Sequence, residues 1–395
     1  MTSIGLFTYS TKPRGSVVHA TYLAEALAAR GHDVTLYALS KAGDRLYREL
    51  SCSVVYLQAE GAPADADALI AQRIREVAAG IAELRPRHDV YHAEDCLVTS
   101  GLLAKRREHG LWPLVRTLHH LEHFESPFLK ECQRRSILDV DAVACVSRVS
   151  QRDVRRELGR ACPIIGNGVD VARFTPNLEL MRWTRERFGF DARDKIVLSV
   201  GGVEPRKNSL RALEAMTPLL AAQPRLRWLI AGGASIWEHD AYRSEFRMRV
   251  GALESGLRSR IVELGPLPER ELTGLYQSSQ ILLCPSLQEG FGLCVLEALS
   301  ARVAVVVSNR EPFTEYLSPD SACFVEPESA ASIGGAVERL AANAELRARL
   351  ATAGVARARA LSWDSVAVEH ERLYADLLGK PSRSGTKSYE ESAHA

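Results

Sequence analysis

The sequence has no excess of charge, no paired-cysteine pattern and no long apolar run, and each lack excludes a class of protein. Fifty Lys and Arg side chains face forty-nine Asp and Glu, for a formal net charge of +1. That balance gives no electrostatic footprint for nucleic acid or an anionic membrane. The eight cysteines (52, 96, 132, 145, 162, 284, 294 and 323) form no C-x-x-C pair, and most lie in apolar runs such as A-V-A-C-V-S. They read as reduced thiols, not as a disulfide frame. No apolar run nears the ~20 residues of a membrane span. The opening M-T-S-I-G-L-F-T-Y-S has neither a basic lead nor a long apolar core, so no signal peptide is expected and the expected location is cytoplasmic. A Walker A loop is missing too, because L-G-K-P-S lacks the glycine-rich lead. The glycine pairs 201–202 and 232–233 are not followed by further spaced glycines, which argues against a dinucleotide-binding dehydrogenase.

What is present is an alternation that runs the length of the chain. With 395 residues and 46% hydrophobic content, about two domains are expected. Short β-rich runs (I-G-L-F-T-Y, V-T-L-Y-A-L, S-V-V-Y-L, D-V-Y-H-A-E, P-L-V-R-T-L, A-V-A-C-V-S and P-I-I-G-N-G) alternate with segments of helical period. The rhythm breaks near F-T-P-N-L-E-L-M-R-W and restarts with K-I-V-L-S-V-G, R-W-L-I-A-G-G, I-V-E-L-G-P, I-L-L-C-P-S, V-A-V-V-V-S-N and C-F-V-E-P. Continuous apolar strands between helices imply parallel sheets covered on both faces. The expected fold class is α/β, with two doubly wound, Rossmann-like domains and ligands at the carboxyl ends of the strands, in a cleft between them. The tail G-K-P-S-R-S-G-T-K-S-Y-E-E-S-A-H-A is polar and expected to be disordered.

The densest cluster of candidate residues follows the run I-L-L-C-P-S, in L-Q-E-G-F-G-L-C-V-L-E-A-L-S-A. On one continuous helix Glu289 and Glu297 would be turned about 80° apart. Gly290 and Gly292 permit a turn instead, with Glu289 in the loop and Glu297 in the helix beyond it. Exposed N–H groups at Phe291, Gly292 and Leu293 and the helix N-terminus would then suit a diphosphate. A helix entry with one surface Glu and one core-edge Glu would show the same spacing.

P-S-L-Q-E-G-F-G-L-C-V-L-E-A-L resembles the E-x7-E signature of retaining GT-B glycosyltransferases of the GT4 family. The likeness extends along nearly the whole chain. R-G-S-V-V-H-A-T-Y-L-A-E-A-L is similar to the family's glycine-rich loop and first helix, and I-I-G-N-G-V-D-V-A-R-F-T-P to its domain junction. S-V-G-G-V-E-P-R-K-N-S-L resembles its phosphate-binding turn in a P-R-K-N form, and L-S-W-D-S-V-A-V-E-H-E-R-L-Y its returning C-terminal helix. The resemblance implies a GT-B fold: 1–175 as acceptor-side domain, 176–360 as nucleotide-sugar donor domain, 361–380 as a helix crossing back, and 381–395 as tail.

It also implies the chemistry. A hexose-type sugar would pass from a nucleotide-sugar donor to a small-molecule, glycan or lipid acceptor, with retention, by front-face attack. Side-chain cations and helix N-termini would stabilise the leaving diphosphate without a metal or other cofactor. Arg206 and Lys207 match the family's basic pair, Glu297 its ribose ligand, and Glu289 its ligand to the transferred sugar. Gly290, Phe291, Gly292 and Leu293 would bracket sugar and phosphate. Gly15 matches the second glycine of the N-terminal pair, where a missing side chain lets backbone approach phosphate. Arg14 stands at the first, as a further cation or a solvent-facing one. Basic residues 206–207 could equally form a solvated turn. The chain departs from the common pattern at Gly202, at Ala301 to Ala304, and in S-N-R-E-P-F-T-E-Y-L-S. Peripheral membrane contact is compatible with a lipid acceptor, and the oligomeric state is not encoded. A GT-B sugar-nucleotide epimerase or a non-catalytic nucleotide-sugar-binding protein would share these motifs.

R-T-L-H-H-L-E-H-F-E-S-P contains H-x-x-E-H at His119, Glu122 and His123. A zinc site there needs both histidines on one helical face. Pro127 and the strand-like L-W-P-L-V-R-T-L oppose that, leaving surface histidines or a strand end. T-L-H is similar to the family's T-x-H, which would place His119 against the transferred sugar. His120 is its competitor for that position. His92, Glu94 and Asp95 in Y-H-A-E-D are weaker acceptor-side candidates, or a satisfied strand-end polar cluster.

Overall fold

The computed structural model describes residues 1–41, 43–61, 63, 65–84, 87–233 and 240–379; the tail expected at 381–395 lies outside them. The chain divides into two units, Gly168–Ser362 and the flanking segments Met1–Asn167 with the helix that begins at Trp363. The division falls ahead of Pro176 because the following segment bonds within the second unit. There Val169 N donates to Leu361 O and Asn177 N to Gln277 Oε1.

The first unit carries strands β1 (Ser3–Thr8), β2 (Asp33–Lys41), β3 (Ser53–Ala59), β4 (Val90–Ala93), β5 (Leu114–Leu118) and β6 (Ala142–Cys145). They form one parallel sheet in the order β3-β2-β1-β4-β5-β6. β4, β5 and β6 are buried at every position, as strands covered on both faces must be. The seventh expected strand, P-I-I-G-N-G, does not form. It makes only a bridge at Ile164, with Cys145 N donating to Pro163 O and Ile165 N to Cys145 O. Pro163 has no N–H to extend the ladder. The helix Trp363–Leu377 belongs to this unit. Trp363 stacks on Tyr22 at 5.4 Å, and Glu371 accepts from Arg30 at 2.8 and 2.9 Å.

The second unit carries β7 (Lys195–Val200), β8 (Leu226–Ala231), β9 (Ile261–Gly265), β10 (Ile281–Cys284), β11 (Ala304–Ser308) and β12 (Cys323–Val325). Its parallel sheet runs β12-β11-β10-β7-β8-β9. Read from the β9 end, this is the strand order of the first sheet, so the two units repeat one doubly wound plan. This is the GT-B α/β fold. Trp228, Phe246, Leu283 and Val306 lie in a core completed by Ile333 and Leu340 of the Ala330–Ala342 helix. Each such aliphatic side chain contributes roughly 1.5–3 kcal/mol on burial. Strand order reverses between β1 and β4, and again between β7 and β10. Loops leaving the carboxyl ends of adjacent strands diverge there and leave a crevice.

Candidate active site

In the second unit, the turns after β7 and β10 meet at such a reversal. Gly201 leaves β7 at φ 120, and a Cβ there would sit 2.5 Å from Lys207 Cε. The missing side chain makes room for the lysine stem. Asn208 holds the turn in the left-handed region at φ 60, its amide donating to the carbonyls of Pro285 and Pro327. Asn tolerates that conformation better than most residues. Leu287 N donates to Arg206 O at 2.8 Å, which ties the turn to the loop after β10.

The charged groups converge on one carboxylate. Lys207 Nζ lies 2.5 Å from Glu289 Oε1, Arg206 NH1 lies 3.2 Å from Oε2, and Ser286 Oγ donates to Oε1 at 2.9 Å. Burial would raise the Glu289 carboxyl, but the two cations and Ser286 hold it down at about 2. Lys207 loses from burial and gains more from Glu289, so it stays charged well above neutral pH. Arg206 Nε also reaches Glu204 Oε2 at 2.9 Å.

Glu289 sits in the loop, and the helix Leu293–Ser300 starts just beyond it and carries Glu297. Gly292 caps this helix at φ 89, where a Cβ would meet Phe313 Cε1 at 2.6 Å. Phe291 stacks on Tyr316 with centroids 4.7 Å apart, and Tyr316 OH donates to Phe291 O at 3.0 Å. Tyr276, on the helix Glu269–Ser278, donates its hydroxyl to Glu297 Oε2 at 2.6 Å. Burial pushes the Glu297 carboxyl up to about 7, with the Tyr276 hydrogen bond acting against it. No local pattern marks Ser286 or Tyr276 in the sequence, and Tyr316 lies in the departing segment S-N-R-E-P-F-T-E-Y-L-S.

In the first unit, the loops after β1, β4 and β5 build a second cluster. Arg14 precedes the helix Gly15–Ala29, and its NH1 donates to Tyr9 OH at 3.0 Å. A Cβ at Gly15 would meet nothing within 4 Å. Residues 119–124 are not helical, so His119 and His123 share no helical face. Pro127 instead opens the helix Pro127–Leu138, capped by Ser126. His119 Nε2 lies 2.9 Å from Glu94 Oε2, and His19 Nδ1 lies 2.9 Å from the same oxygen without hydrogen-bond alignment. His120 Nε2 pairs with Glu122 at 2.6 Å and is about one-third exposed.

The other strand-end candidates have structural partners. Asp95 caps the helix Cys96–His109, its Oδ1 accepting from Leu97 N and Val98 N. Burial pushes its carboxyl up to about 6. His92 is fully buried between Tyr374 OH at 2.6 Å and Thr117 Oγ1 at 2.8 Å, and burial lowers it to about 4. Both ring nitrogens of His92 are thus committed inside the unit, the satisfied strand-end arrangement that its sequence leaves open beside the acceptor-side one.

Among the described residues, His19, Glu94 and His119 form the group whose potential metal-ligand atoms come within 4.8 Å of one another. The carboxylate oxygen itself lies between the two nitrogens at hydrogen-bond distance. No helix among the described residues is long and apolar enough to cross a membrane.

The class of protein is then set by comparison. Residues 13–173 match the family described as Glycosyltransferase Family 4, and residues 182–357 match Glycosyl transferases group 1. The chain belongs to this family, and it is an enzyme, a glycosyltransferase. It is 27% identical over 289 residues to a D-inositol 3-phosphate glycosyltransferase of Corynebacterium aurimucosum, covering 68% of each chain. Among solved structures, sucrose-phosphate synthase from Thermosynechococcus elongatus has a TM-score of 0.77 at 21% identity, over 96% of this chain and 100% of that one. HepE from Anabaena in complex with UDP and glucose gives 0.78 at 18% identity, over 95% and 100%. These two likenesses are likenesses of fold.

Proposed function

We propose that this glycosyltransferase takes a hexose-type sugar from a nucleoside diphosphate and transfers it with retention, without a metal. The observation that carries the reading is the convergence of Lys207 and Arg206 on Glu289, beside the glycine-capped start of the Leu293–Ser300 helix. Two cations and a helix N-terminus are what a departing diphosphate requires. Glu289 pairs with both cations. A bound donor would draw Lys207 and Arg206 to its phosphates and free Glu289 to accept from sugar hydroxyls. Glu297, turned toward Tyr276 in the same crevice, would accept from the ribose. Phe291, Gly292 and Leu293 offer backbone N–H groups between them; by the family resemblance, His119 would lie against the transferred sugar and Gly15 would leave backbone room for phosphate. UDP and glucose, named in the HepE complex, support a nucleotide-sugar donor here.

Retention follows from the family resemblance, with the leaving diphosphate taking the acceptor proton on the face it departs from. The test is a thermal-shift and hydrolysis screen over UDP-, GDP- and ADP-sugars, with and without a chelator. Inositol phosphates, suggested by the corynebacterial relative's name, belong in the acceptor panel. One donor class should raise the melting temperature and be hydrolysed slowly, with the chelator making no difference. No response to any nucleotide sugar would defeat the reading, and an inverted anomeric centre in the product would defeat retention.

A further inference from the structure

Glu94 is a fully buried carboxylate that none of the donor chemistry uses. It sits at the carboxyl end of β4, where its N–H donates to Phe7 O at 3.1 Å. Its Oε2 lies 2.9 Å from His119 Nε2 in hydrogen-bond geometry. Among the described residues, Glu94 Oε1 and both ring nitrogens of His19 find no aligned partner. One well-aligned donor, the His119 ring, therefore serves a buried carboxylate.

The groups around the pair favour a neutral ring on a charged acceptor. His19 comes from the helix Gly15–Ala29, His92 from β4, His370 and Tyr374 from the helix Trp363–Leu377, and His120 follows His119 in the chain. His19 packs edge-on to His119 at 5.1 Å and to Trp363 at 5.4 Å. Burial lowers His119 to about 4, so its ring is neutral at pH 7. Burial would raise Glu94, yet His19 and the His119 hydrogen bond hold it below the usual carboxylate range. An ionised carboxylate can only accept. The proton of the neutral His119 ring must then be on Nε2, and Nδ1 carries a lone pair. The residue is fixed at its other end as well, because Ser150 Oγ donates to His119 O at 3.0 Å.

We propose that Glu94 is a positioning residue that holds His119 in its Nε2–H tautomer, so that Nδ1 accepts a hydrogen bond from a hydroxyl of the transferred sugar. The sugar half of this statement rests on the reading of His119 given above; the tautomer half does not. His119 thereby selects for a hydroxyl donor at one sugar position and offers no proton to it.

The experiment is nitrogen NMR of histidine-labelled full-length protein without ligand, from pH 6 to 8, with His119 assigned through His119→Asn. The native protein should show a protonated Nε2 and an unprotonated Nδ1 throughout. Glu94→Gln, whose amide can either donate or accept, should mix or reverse that pattern. In donor hydrolysis Glu94→Gln should lower kcat about 10-fold, as loss of an orienting partner does, and should add nothing in a His119→Ala background. A charged or Nδ1-protonated His119 in the native protein would overturn the proposal, as would an unchanged tautomer in Glu94→Gln. One equivalent of zinc retained by the native protein and lost with Glu94→Gln would also overturn it. The expected tautomer with additive kinetic losses would remove the sugar half alone.

Discussion

Lys207 Nζ lies 2.5 Å from Glu289 Oε1, although the two residues are 82 positions apart and follow different strands. The contact closes the strand-order reversal between β7 and β10 and stores two cations against one carboxylate. Lys207→Ala should keep the fold, because Arg206 and Ser286 still hold Glu289. It should lower transfer or donor hydrolysis by roughly 10²-fold or more, the usual cost of losing a preorganised charge partner. Circular dichroism with an activity assay checks both halves. A folded variant with near-native turnover would remove Lys207 from the donor site.

Much of that crevice can be read in the sequence. E-G-F-G after an apolar strand announces a turn and then a helix, and Glu289 and Glu297 fall in loop and helix accordingly. The P-R-K-N turn is local as well. What could not be read depends on tertiary register. Tyr276 reaches Glu297 from a separate helix, and Tyr316 reaches Phe291 from a segment whose departure from the family pattern gave no hint of stacking. P-I-I-G-N-G looks like a strand because its apolar pattern says nothing of the missing proline N–H. Asp95 carries a short-range signature that an N-cap and a ligand carboxylate share, and its Oδ1 serves as the cap. At Gly202, where the chain departs from the common pattern, φ is 78 and a Cβ would lie 2.6 Å from Gly233 O, a clash that spacing does not reveal.

Glu297 gives a pH prediction with a definite sign. Its folded carboxyl stands at about 7 against an ordinary 4.5, so the folded state binds the proton more tightly than the unfolded chain. The stabilising contribution is complete below about pH 4.5 and is lost as pH rises through 7. Glu297→Gln should therefore flatten the melting-temperature profile between pH 5 and 8. At pH 8 the ligand-free variant should be the more stable by on the order of 1–3 kcal/mol. The same variant should bind the donor more weakly. Parallel melting curves for the two proteins across that range would contradict the shift.

Two glycines should separate folding from ligand approach. Gly292→Ala forces a side chain onto φ 89 and against the Phe313 ring, and should cost about 1–3 kcal/mol in urea unfolding. Gly15→Ala meets nothing within 4 Å and should leave stability within about 0.5 kcal/mol. If backbone at Gly15 must approach the phosphates, its Ala variant should still lose donor affinity. An unaffected donor titration would show that the opening at Gly15 does not serve the donor.

Tyr316 tests whether the loop's order matters apart from its charges. The ring stacks on Phe291 at an interplanar angle of 2°, and the hydroxyl donates to the Phe291 carbonyl. Tyr316→Phe keeps the stack and removes the hydrogen bond, at about 1 kcal/mol of stability. Tyr316→Ala removes both and should cost several times more. If Phe291, Gly292 and Leu293 present their N–H groups to the donor, a loosened loop pays an ordering cost when the donor binds. KM for the donor should then rise stepwise from native to Phe to Ala, while the melting temperature falls in the same order. A KM that stays constant while stability falls would confine the Phe291–Tyr316 pair to packing.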